Sequence, residues 1–194
     1  MAEGGRRLWV TVGEAAAVAA VIIAGLNYWD AHHDHAQAAR NAADLARTER
    51  LANSLVLEAT VEDDGRRLAL KPAAAGQVIE SLSFMFPKAV ADRPIALTAA
   101  APAIAVDWAA AGLAKALEAR RARPEGRGTV PLGIVSSYVQ DGQTRQESAV
   151  YLVGYRWKRR LFGGRDIRLE GLALAARYPP AALQAEVDRR WAGR

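Results

Sequence analysis

Over its first thirty residues the chain scarcely alternates between apolar and polar positions. Residues 8–29, LWVTVGEAAAVAAVIIAGLNYW, contain one carboxylate and no basic side chain, and the strongly apolar part runs from Val18 to Leu26. Trp9 near one end and Tyr28 and Trp29 at the other are of the type that settles at the two headgroup layers. The steps from Trp9 to Tyr28, at ~1.5 Å each, span roughly 28 Å, close to the ~30 Å hydrocarbon core of a bilayer. The pattern predicts a single transmembrane helix. A cleaved signal peptide is the rival reading, but Gly25-Leu26-Asn27-Tyr28-Trp29 offers no small-x-small cleavage site after the apolar core.

Residues 30–53 contain neither glycine nor proline and are rich in helix formers, so the helix is expected to continue as a stalk. Leu45 and Leu51 are its only large apolar side chains; a helix this polar adds little to a core.

From Ser54 the period changes to two. Leu55, Leu57, Ala59 and Val61 alternate with Val56, Glu58, Thr60 and Glu62, Asp63-Asp64-Gly65-Arg66 makes a turn, and Leu68 and Leu70 return, which together predict a hairpin. Residues 77–86 read as a strand placing Val78, Leu82, Phe84 and Phe86 on one face, ended by Pro87; a helix through Ile79, Leu82 and Phe86 competes. A short strand at 94–98 precedes an alanine-rich linker around Pro102. Residues 106–121 predict a helix with Trp108, Leu113 and Leu117 on its apolar face and Arg120 and Arg121 at the negative end of its dipole. Residues 120–129, an Arg/Gly-containing stretch broken by Pro124, Gly126 and Gly128, read as a connector in preference to a binding surface.

Residues 132–140 and 143–157 flank Asp141-Gly142, the strongest hairpin signal in the chain, because both central positions of that turn need positive φ. This register sets Ile134 opposite Ala149 and Leu132 opposite Tyr151. A second hairpin is expected at Phe162-Gly163-Gly164, returning through Ile167 and Leu169. The change of phase from these to Leu172 and Leu174 predicts a bulge at Gly171. After Pro179-Pro180, residues 181–191 predict a closing helix with Leu183, Val187 and Trp191 inward.

The expected fold is thus α+β: a cytoplasmic tail (1–7), a transmembrane helix (8–29), a helical stalk (30–53) and one mainly antiparallel sheet domain (54–194) with one internal and one C-terminal helix. Arg6 and Arg7 precede the span, whereas Asp30 and Asp34 follow it and the next basic residue is Arg40. The positive-inside rule therefore places the N-terminus in the cytoplasm and the domain in the periplasm, or outside a one-membrane cell. The absence of cysteine decides nothing about the compartment.

Charge is uneven. Residues 151–194 hold ten basic and four acidic side chains, the first 150 sixteen and seventeen. The excess centres on Arg156, Trp157, Lys158, Arg159, Arg160 and Arg165. Basic and aromatic residues so interleaved suit an anionic or partner surface; an extracytoplasmic location argues against nucleic acid and favours anionic headgroups, acidic glycan or an acidic protein. The other reading is a solvated tip whose arginines guard an edge. Within the span, Glu14 lies beside a small-residue face of Ala16, Ala20 and Ala24, a pattern for packing against a second copy or a membrane partner. In the stalk, His32, His35, Asp30 and Asp34 have the spacing to share a helix face as metal ligands, although too few for a closed four-ligand site.

Catalytic chemistry finds little support. All three histidines precede residue 36 and there is no cysteine, so residues 54–194 contain no His-based triad and no Cys nucleophile. Glu58 and Glu62 fall on the outer side of their strand, Asp63 and Asp64 in a turn, and Ser136-Ser137 matches no nucleophile motif. No cofactor is implied. The expected role is a non-enzymatic, single-pass accessory or assembly protein of the bacterial envelope, joined to a membrane or envelope partner or to itself. A metal-binding or ligand-sensing subunit is the alternative, and a carboxylate hydrolase a third.

Overall fold

Asp141 and Gly142 both adopt positive φ, 53° and 73°, and this turn sets the longest pairing in the molecule. Strands β6 (Glu125–Gln140) and β7 (Gln143–Arg159) run antiparallel without a slip, with Ile134 opposite Ala149 and Leu132 opposite Tyr151. The computed structural model describes residues 54–98, 101–160 and 163–193. The expected span at 8–29 with Glu14, Ala16, Ala20 and Ala24, and the stalk with Asp30, His32, Asp34 and His35, lie outside the described residues. Neither described helix is long and apolar enough to cross a membrane.

A mainly antiparallel domain with two helices is what residues 54–193 form, organised as two sheets. The first holds β1 (Leu57–Glu62), β2 (Arg67–Pro72) and β5 (Ala103–Ala105) in that order. The second holds β4 (Ile95–Leu97), β3 (Gln77–Met85), β6, β7 and β8 (Arg165–Arg177). Helix α1 (Ala110–Ala119) lies between β5 and β6, and α2 (Pro180–Ala192) closes the chain.

Each face of the larger sheet has its own cover. Leu82, Phe84, Leu132, Ile134, Tyr151, Val153, Ile167 and Leu169 join Leu57, Leu68, Leu70 and Ile104 of the small sheet, and Leu113 and Leu117 of α1, in the main core. On the opposite face Val150 packs with Leu183 and Val187 of α2, flanked by Met85, Val135 and Ala175. Alternation along the strands produces both faces. Leu183, Val187 and Trp191 are all buried, as their spacing predicts. Trp191 belongs to the main core, and the Arg120 guanidinium lies 4.5 Å from its ring centre, so the C-terminal ends of the two helices meet.

Four expectations are corrected. Val78 is 62% exposed, because Glu80 is an extra residue in β3 that shifts register between Ile79 and Ser81 and turns Gln77 and Ile79 inward instead. Val61, expected inward, is 46% exposed and lies outside the buried clusters. The alanine-rich linker contains β5, whose Ile104 is buried and pairs with Leu68. The expected helix at 106–121 is a 3-10 turn over Val106–Trp108 followed by α1, the two divided at Ala109.

The second half of the connector expected at 120–129 is strand: Glu125–Thr129 pair residue for residue with Lys158–Gly154. Its glycines serve that pairing. A Cβ on Gly126 would come within 2.6 Å of the Trp157 ring, and one on Gly128 within 3.0 Å of the Tyr155 hydroxyl. The two aromatic rings therefore lie across bare backbone, with centres 5.7 Å apart. The bulge near Gly171 is present: Gly154 pairs with Gly171 but Tyr155 with Leu169, leaving Glu170 as the extra residue.

Candidate functional site

Alternation along β7 divides the basic run between two faces. Arg156 and Lys158 have the parity of Val150, on the side of α2, whereas Trp157 and Arg159 have the parity of Tyr151, Val153 and Tyr155 in the main core.

On the first of these faces the charge is compensated. Arg156 stands in direct register between Arg127 of β6 and Arg168 of β8. Like charges opposite each other in a sheet are destabilising, and each of the three has a carboxylate partner. Arg127 Nε is 3.1 Å from Glu170, Arg156 Nη2 is 3.4 Å from Asp64, and Arg168 is 2.9 Å from both Asp64 and Asp166. In the next row out, Glu125, Lys158 and Asp166 alternate in sign. Arg160 adds a 3.3 Å contact to Asp166, whose carboxyl is held below its ordinary pKa mainly by the Arg168 hydrogen bond, with help from Arg160. The hollow here, about 460 Å³, is lined by both signs of charge.

On the other face it is not. Helix α1 is capped at Arg120 and followed by Arg121, whose φ of 51° turns the chain back on itself, and the Ala122 N–H donates to the Leu117 carbonyl at 2.9 Å across that turn. Residues Ala122 to Pro124 are then fastened to the β7–β8 hairpin. The Arg159 N–H donates to Pro124 O at 2.8 Å, and Trp157 Nε1 donates to Arg123 O at 3.0 Å. The Arg165 guanidinium forks onto Arg123 O at 2.8 Å and Ala122 O at 3.0 Å. These bonds leave Arg121, Arg123, Arg159 and Arg165 around one open cleft of about 570 Å³, with Gly163 and Gly164 at its border and Glu118 as its single acidic residue. Among the described residues none of the four guanidiniums has a carboxylate partner.

The six residues singled out by sequence therefore separate. Arg159 and Arg165 line the cleft, Trp157 is a strut beneath it, and Arg156, Lys158 and Arg160 stand among carboxylates. Arg121 and Arg123 lie in the stretch for which a binding surface is the second sequence reading, behind a connector. The helix dipole by itself explains a basic residue at Arg121, and nothing in the sequence sets either residue beside the hairpin.

The cleft stands at the end of the sheet remote from where the chain joins the domain. Ser54 and Leu55 are held by Gln77, Glu147 and Arg177, near the Asp141-Gly142 turn. Glu147 and Arg159 are separated by twelve steps along β7, roughly 40 Å at ~3.3 Å per residue.

Ser136 is buried, while the Ser137 hydroxyl donates to Glu80 at 2.9 Å. Glu58 and Glu62 are exposed and face Lys71 and Arg67. Among the described residues no three His, Cys, Asp or Glu side chains converge as metal ligands would. Comparison with family models, curated proteins and solved structures finds no match to the chain.

Proposed function

We propose that this protein is a single-pass, membrane-anchored accessory protein of the bacterial envelope, whose extracytoplasmic domain binds an anionic group of a partner in the Arg121, Arg123, Arg159 and Arg165 cleft and performs no chemistry on it. The observation that carries the reading is the charge of that cleft: four guanidiniums, drawn from a loop and two strands, face one carboxylate. On the opposite face of the same hairpin the Arg127, Arg156 and Arg168 row is matched by Asp64, Asp166 and Glu170. Four arginines gathered on one cleft without an ion-pair partner among the described residues favour an anion supplied from outside.

Anchorage and compartment rest on residues 8–29 and on the arginines before them.

The test has two parts. Protease added to intact spheroplasts should digest the domain if it faces outward; protection until the membrane is lysed would remove the assigned topology. A photo-crosslinking residue at position 164 should then give salt-sensitive adducts in cells, lost on Arg121→Ser with Arg123→Ser, while the same probe at position 58 gives none. Equal labelling at both positions, unaffected by the double substitution, would defeat the binding assignment.

A further inference from the structure

Resting on the reading of this cleft as an anion site, we infer that the group it takes is a phosphate rather than a carboxylate. A carboxylate has two oxygens in one plane and is satisfied by a single guanidinium fork. The cleft is lined by four arginines from different elements: Arg121 and Arg123 from the turn after α1, Arg159 from β7 and Arg165 from β8. Acceptors arranged tetrahedrally around one centre suit that set, because several oxygens can each meet a different arginine.

Charge points the same way. Four guanidiniums against Glu118 leave a surplus that a monocarboxylate neutralises only in part, whereas a phosphate monoester carries about −1.5 to −2 at pH 7. Arg165 is spatially committed, since its Nη1 and Nη2 each donate to a loop carbonyl. Arg121, Arg123 and Arg159 have exposed side chains with no carboxylate partner among the described residues, so an arriving anion displaces no existing ion pair.

The border and the size are compatible with a phosphate carried on a larger molecule. Gly163 and Gly164 have positive φ, 92° and 76°, and no neighbouring atom within 4 Å of where a Cβ would stand, so the backbone there is open to close approach. A volume of about 570 Å³ is within the ~300–1,000 Å³ of small-ligand pockets and exceeds the needs of one phosphate. The remainder can take a sugar or glycerol attached to it.

The test titrates the full chain in a non-ionic detergent, at constant ionic strength, with four probes: inorganic phosphate, glycerol 3-phosphate, glycerophosphoglycerol and acetate. Phosphate and glycerol 3-phosphate should bind at least tenfold more tightly than acetate. Arg121→Ser with Arg123→Ser should weaken them at least tenfold without moving the melting temperature of the unliganded protein. Arg159→Lys, which keeps the charge and removes the planar fork, should weaken phosphate severalfold and leave acetate unchanged. The source of the group is read from the diester: glycerophosphoglycerol binding as tightly as the monoester assigns a lipid headgroup, and weaker binding assigns a soluble phosphate monoester. Acetate binding as tightly as phosphate would overturn the phosphate assignment while the anion cleft stands. Phosphate binding indifferent to all three arginines would overturn it as well. Labelling at position 164 that does not depend on Arg121 and Arg123 is the separate outcome that removes the underlying reading.

Discussion

The Leu55 N–H donates to the Glu147 carboxylate at 2.7 Å, although the two residues are ninety-two positions apart. The contact is one of several that hold the segment leading into β1. The Leu57 N–H donates to the Tyr151 hydroxyl at 3.2 Å, Arg177 donates to Ser54 Oγ at 2.8 Å and also pairs with Glu147, and Gln77 donates to Ser54 O at 3.4 Å. Side chains of the large sheet thus satisfy backbone groups that have no strand partner there, the requirement that burial of Leu55 and Leu57 imposes.

This predicts that Glu147→Ala destabilises the domain by about 2 kcal/mol, since it orphans the Leu55 N–H and leaves Arg177 without its carboxylate. Tyr151→Phe should cost about 1 kcal/mol by removing one acceptor while keeping the ring in the core. Urea unfolding followed by tryptophan fluorescence checks both, and Tyr151→Phe exceeding Glu147→Ala would contradict the ranking.

Helix α2 sits on Gly133, where a Cβ would fall 2.9 Å from Leu183 Cγ and 3.2 Å from Val187. Gly133→Ala is expected to destabilise by about 1–3 kcal/mol, the cost of overpacking. Gly112→Ala in α1 should exceed it, because the nearest atom is the Val90 carbonyl oxygen at 2.0 Å, which cannot rotate away as a side chain can. Melting temperatures of the two variants, measured side by side, decide the order.

Acid sensitivity should be traceable to Glu186. Its carboxylate, almost enclosed, accepts from Arg189, Arg190 and the Tyr178 hydroxyl, and these hydrogen bonds, led by Arg189, lower its pKa from 4.5 to about 2. A carboxyl whose folded pKa is depressed contributes stability that is fully present above the unfolded value and is lost as pH falls through the folded one. The melting temperature difference between parent and Glu186→Gln should therefore be constant above about pH 5 and shrink between pH 4.5 and 2. A difference that grew on acidification would reverse the assignment.

Trp157 should act as a strut for the cleft. Trp157→Phe removes the 3.0 Å hydrogen bond to Arg123 O and is expected to cost about 1 kcal/mol. Phosphate affinity should fall with it, because Arg123 is held in place through that carbonyl. Stability lost with affinity unchanged would show that Arg165 alone holds the loop.

Much of the domain was legible along the chain because its signals are local. Asp141-Gly142 demanded a tight turn, the alternation around it placed Leu132 opposite Tyr151, and Leu183, Val187 and Trp191 recur at the spacing of a helix face. The errors share a cause as well. Val78 was misplaced by one inserted residue, since a bulge reverses every side chain beyond it. Strand β5 was missed because Ala103 and Ala105 give almost no contrast between faces, and the strand exists through its pairing with β2. The glycines at 126 and 128 look like loop punctuation until Trp157 and Tyr155 are seen lying over them.

The basic run divides along the same line. Its composition, its nearness to a hairpin turn and its surplus of charge are properties of consecutive residues, and so are the apolar stretch at 8–29 and the charges flanking it; these could be read from the chain without a structure. Which arginines are neutralised could not. Asp64 reaches Arg156 and Arg168 from about a hundred residues away, and Arg121 and Arg123 meet Arg159 and Arg165 only because a left-handed residue follows α1 and the loop carbonyls bind the hairpin. Charge compensation depends on distances through space, and those are set by packing between elements remote in sequence.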